Sequence, residues 1–90
     1  MLFRSIRAAD EVTDLICDRG YANVLVEVAN ECDIPRWAHE IIKPARSHEL
    51  VARVQSRSKG RVKTPAGRLL VSTSFATSPP LPERLLQTCD

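Results

Sequence analysis

Apolar positions recur at helical spacing in three stretches of the chain and run almost unbroken in two others. Over residues 5–19, Ile6, Ala9, Val12 and Ile16 return at steps of three and four, with Leu15 widening the stripe. Arg7, Asp10, Glu11, Asp14 and Asp18 fill the other side, so the spacing predicts an amphipathic helix. Ser5 is suited to cap its start and Gly20 to close it in the left-handed conformation. Residues 23–29 (Asn-Val-Leu-Val-Glu-Val-Ala) and 68–75 (Arg-Leu-Leu-Val-Ser-Thr-Ser-Phe) are short, rich in β-branched residues and nearly continuous in apolar character. That is the pattern of strands covered on both faces, with Glu27 as the exception in the first. Between them Pro44 suits the first position of a helix running to about Ser58, with Leu50, Val51 and Val54 on its apolar side. Ala45 joins that side at the start, while His48, Glu49, Arg53 and Arg57 lie outside and Gly60 could close the helix. Residues 61–67 read as a basic turn, and residues 78–82 (Ser-Pro-Pro-Leu-Pro) open a third helix reaching Asp90.

The predicted order is helix, strand, helix, strand, helix. Because the strand-to-strand connection carries a helix, the strands should pair in parallel through a right-handed crossover. Two parallel strands bury little of each other and are marginal alone. Residues 1–90 are therefore expected to form a partial α/β domain, a piece of a larger fold. Neither an internal repeat nor a low-complexity segment supplies another route to a core.

Composition narrows the class further. A 43% hydrophobic and 27% charged chain has the balance of a folded protein rather than a disordered one. No apolar run approaches the roughly 18 residues of a membrane span, and Arg4 interrupts the apolar N-terminus too early for a secretory signal. A net charge of +2 is too small to imply a polyanionic partner. Cys17, Cys32 and Cys89 make neither an even set nor a zinc spacing.

Parallel α/β folds carry their chemistry at the C-terminal ends of strands, and the first strand here runs out in Ala29-Asn30-Glu31. Residues 23–32 (Asn-Val-Leu-Val-Glu-Val-Ala-Asn-Glu-Cys) resemble the fourth strand of the (β/α)8-barrel glycoside hydrolases of the clan that includes cellulases. That strand ends in an Asn-Glu pair. The similarity continues through residues 39–44 and 47–50 to residues 69–75, which resemble the fifth strand, so it covers the stretch from the third helix to the fifth. The resemblance implies a TIM-barrel segment from a retaining glycosidase, a carbohydrate substrate in the parent enzyme, and no cofactor. It implies Glu31 as the general acid/base and Asn30 as the hydrogen-bonding partner of the sugar 2-hydroxyl. Cleavage needs a proton on the leaving oxygen and then a base for water, and one carboxyl can do both. In a strict pleat Asn30 and Glu31 point to opposite faces, so both reaching one sugar requires a bulge or twist at the strand end. The clan's nucleophile is a second Glu on the seventh strand, which has no counterpart here. Glu27 shares the parity of Glu31 but lies roughly 13 Å down the strand, against the about 5–5.5 Å of a retaining pair; it would point into the barrel interior. Glu40 lies in the long connection. The position after the pair, commonly Pro in the clan, is Cys32.

Other residues have plainer readings beside functional ones. Trp37 could stack on a sugar ring or simply pack over the barrel end. His39-Glu40-Ile41-Ile42-Lys43 imitates a zinc-protease motif but has Lys43 where the second His must stand. Cys32 with His39 would make a thiol–imidazole pair without an orienting third group. Cys17 reads as a core residue and His48 as an ordinary helix residue. Ser72 and Ser74 share one face of the second strand and could line a sugar site. Arg57, Lys59, Arg61, Lys63 and Arg68 form a basic turn, the feature of the alternative class: an interaction or nucleic-acid-binding module. It has no interleaved aromatics, and a solvated turn is the simpler reading. A truncated product without present activity is compatible with the barrel reading, and the uncovered faces of such a segment leave self-association open.

Overall fold

The computed structural model describes residues 2–33, 40–77 and 80–90, with side chains from residue 5 onward. Helix α1 (Leu2–Asp18), strand β1 (Leu25–Glu27), a 3-10 turn (Glu40–Ile42), helix α2 (Ser47–Ser58), strand β2 (Leu70–Ser72) and helix α3 (Glu83–Thr88) follow one another. The strands pair in parallel, with Leu25, Val26 and Glu27 opposite Leu70, Val71 and Ser72. The chain is thus mixed α/β with one parallel two-stranded sheet.

The α1 C-terminus behaves as its glycine predicts. Gly20 has φ 72°, its N–H donates to the Cys17 carbonyl at 3.1 Å and that of Tyr21 to the Ile16 carbonyl at 3.2 Å, which is a Schellman closure. The start differs: α1 begins at Leu2, so Ser5 lies within the helix and is not its cap. α2 also starts later than expected, at Ser47 with Arg46 flanking it. Pro44 and Ala45 lie in the preceding turn, because the Arg46 and Ser47 N–H groups already fold back onto the Lys43 carbonyl at 3.0 and 2.8 Å. α3 occupies only residues 83–88. Pro82 flanks its start, and Ser78 and Pro79 of the expected opening lie outside the described residues.

The three described helices share one core with one face of the sheet. Ile16, Val51, Val54, Val62, Leu69, Val71 and Leu85 make the core, with Val24, Val26, Val28 and Phe75 against it. The other face is bare: Leu25 is 64% exposed and Leu70 43%. The expectation of strands covered on both faces is therefore corrected. The molecule measures 35 × 26 × 17 Å, and its thin dimension fits one helix layer on one sheet, with layers about 10 Å apart. The α1 stripe is corrected too. Thr13 and Ile16 are buried, while Val12 and Leu15 are about half exposed, since no described element lies beyond the free edge of β1. Asp10 and Asp14, on the charged side of the helix, meet the arginines of α2.

Candidate functional site

Backbone pairing continues past the formal strands, and it builds the strand-end rim. The N–H of Val28 donates to the Ser72 carbonyl at 3.0 Å, that of Ser74 to Ala29 at 3.3 Å, and that of Cys32 to Ser74 at 2.8 Å. Thr73 adds a hydroxyl bond to the Ala29 carbonyl at 2.7 Å. Residues 28–32 and 72–74 are therefore laced into one rigid end, and Asn30 and Glu31 sit on it.

Glu31 leaves the pleat there with φ 52°, the left-handed region that residues other than glycine rarely adopt. Its N–H donates to Ser74 Oγ at 2.9 Å, and the same hydroxyl donates to Asn30 Oδ1 at 3.3 Å. The turn at Glu31 breaks the alternation that would send Asn30 and Glu31 to opposite faces. Asn30 is exposed and Glu31 half-buried.

The connection after Glu31 is clasped to the one after β2. Asp33 accepts the N–H groups of Ala76 and Thr77 at 2.7 and 3.1 Å, and the Thr77 hydroxyl donates to the same carboxylate. The Thr77 hydroxyl, followed by the Ala76 N–H, holds the Asp33 carboxyl below its ordinary value. Nothing in the sequence singles out Asp33; only the parallel register, which brings residues 76–77 beside it, reveals its role.

Cys32 is fully buried, and burial pushes its thiol up against the smaller opposing pull of the Thr73 hydroxyl. A thiol closed to solvent and made harder to ionise is a poor nucleophile. Trp37 and His39 lie outside the described residues. Glu40 pairs with Lys43 at 3.0 Å. Glu27 is exposed on the sheet face opposite the helices, four residues back from Glu31. Among the described residues no group of three or more His, Cys, Asp and Glu side chains could hold a metal ion. No described helix is long and apolar enough to cross a membrane.

The basic turn is largely paired. Arg57 and Arg61 bond Asp14 at 2.7 and 2.9 Å, and Arg61 also reaches Asp18 at 3.3 Å. Arg68 bonds Asp90 at 2.7 Å. Three of the five cations of that cluster thus already face carboxylates.

No family model matches the chain, and no curated protein or solved structure is similar to it.

Proposed function

We propose that the chain is a segment of a (β/α)8-barrel glycoside hydrolase of the retaining, cellulase-like type, with Glu31 as its general acid/base and Asn30 on the sugar 2-hydroxyl. The comparisons lend this reading no support. The observation that carries it is the position of Glu31, at the C-terminal end of a parallel strand and turned out of the pleat beside Asn30. Parallel barrels keep their catalytic side chains at that end.

Two further features favour a barrel. Helices cover one sheet face only, and the bare face, with Leu25, Glu27 and Leu70 exposed, is the one a barrel would turn inward. Apolar clefts of about 290 and 260 Å³ flank β1 and β2, where neighbouring strands would run. After α3 the Asp90 N–H donates to the Val71 carbonyl at 3.0 Å, as the first residue of a next parallel strand would.

Alone, such a segment does not hydrolyse glycosides. Glu27 stands on the bare face of β1, four residues before the turn that carries Glu31, and Asp33, the described carboxylate nearest it in sequence, is engaged by Ala76 and Thr77, so neither is offered as the nucleophile that a retaining pair places at about 5–5.5 Å. The test is a cellulase-clan barrel whose own third-to-fifth-helix portion is replaced by residues 2–90. A folded chimaera should hydrolyse an aryl β-glycoside and lose about 10²–10⁴-fold with Glu31→Gln. A folded chimaera that is inert, or equally active with Gln, overturns the reading.

A further inference from the structure

Ser74 lies on β2's continuation, 43 positions after Glu31, yet its hydroxyl touches both residues of the Asn30–Glu31 pair. It accepts the Glu31 N–H at 2.9 Å. Having accepted there, it has its own proton to give, and the acceptor within reach is Asn30 Oδ1 at 3.3 Å. That bond fixes which way the carboxamide points. With Oδ1 engaged by Ser74, the two Nδ2 hydrogens of the exposed carboxamide are the donors it has left to offer a ligand.

We propose that Ser74 is a positioning residue of this rim, whose single hydroxyl sets the orientation of the Asn30 carboxamide and holds the left-handed turn at Glu31. Resting on the glycosidase reading, the consequence is a preference of sign. Asn30 meets its ligand as a donor, so the atom it recognises is an acceptor, such as the oxygen of a sugar hydroxyl. A methyl or an ammonium group in that position would leave the amine unpaired or repelled. The turn at Glu31 depends on the same contact, because a left-handed glutamate costs about 1–2 kcal/mol and needs a fixed partner to persist.

The experiment uses the ¹⁵N-labelled chain, in which Asn30 and Asn23 are the only asparagines, so the Asn30 side-chain signals are readily assigned. Ser74→Ala should move the Asn30 NH2 signals and speed amide exchange at Glu31 about tenfold, the equivalent of one ordinary hydrogen bond. Ser74→Thr keeps the hydroxyl and should restore both. Thr73→Ala removes the neighbouring bond to the Ala29 carbonyl; it should lower stability while leaving the Asn30 signals in place, which separates positioning from general support. Unchanged Asn30 signals in Ser74→Ala, or no restoration in Ser74→Thr, overturns the proposal. Titration with cellotetraose adds an independent arm. Asn30 NH2 shifts in the wild type that vanish in Ser74→Ala support both the proposal and its sugar ligand. A chain blind to cellotetraose but responsive to Ser74 as described upholds the positioning role, and the chimaera alone then decides the carbohydrate reading.

Discussion

At φ 52° the Glu31 side chain crowds its own backbone, and a glycine there would not. Glu31→Gly should therefore stabilise the fold by about 1 kcal/mol relative to Glu31→Gln, the gain in the left-handed region being offset in part by glycine's greater entropy when unfolded. Urea denaturation of the two variants reads this directly, and a Gly variant less stable than the Gln one would mean the turn is not strained. The sequence made Asn30 and Glu31 visible because the dipeptide ends an apolar run. It could not supply the turn that unites them, because that turn depends on Ser74 (43 positions away) and so on the register of two strands. Trp37, the other residue the sequence picked out, lies outside the described residues.

The helices α1 and α2 are joined by charge as well as by apolar packing. Asp10, Asp14 and Asp18 stand at four-residue steps on α1. They face Arg53, Arg57 and Arg61 at the same step along α2 and the turn after it, with ion pairs from 2.7 to 3.4 Å. Asp14 lies well below the usual carboxylate range because Arg57 and then Arg61 donate to it, and Asp10 is lowered chiefly by Arg53. A carboxylate whose pKa is lower in the folded state stabilises the fold above its unfolded value, about 3.9, and loses that contribution as pH falls toward its folded value. Asp14→Asn should accordingly melt below the wild type at pH 7, and the gap should narrow steadily below about pH 4. Added salt should narrow it too, because these groups are partly exposed. A gap independent of both pH and salt would make the loss steric. The periodicity of α1 was legible as an amphipathic stripe, but its charged side reads equally well as solvated. Only the packing of α2 against it distinguishes a salt-bridge ladder from a wet face. The same pairing engages Arg57 and Arg61 of the basic turn, while Arg68 is held by Asp90 instead.

Over the whole molecule, the α/β order and the parallel pairing followed from the strand–helix–strand rhythm, whereas the bare sheet face did not, because a continuous apolar strand says nothing of which neighbours are present to cover it. Val12, Leu15, Leu25, Leu70, Leu81 and Leu86 are all large apolar residues left well exposed among the described ones. They border both sheet edges and the uncovered face. Nothing described within the two layers buries them, and each of these leucines, about half exposed, forgoes about half of the 1.5–3 kcal/mol that full burial brings. A short parallel pair is marginal by itself, so association should be the cheaper way to cover this surface. The expected behaviour of the isolated chain is a broad melt whose midpoint rises with protein concentration, together with a light-scattering mass above the 10.0 kDa of one chain. Leu25→Lys places a charge on the bare face and should lower that mass without lowering the midpoint measured at high dilution, where association no longer contributes. A sharp, concentration-independent melt of a monomer would mean that the two layers suffice. The case for missing barrel neighbours would then lose its energetic basis, and the Glu31 rim would belong to a self-standing fold.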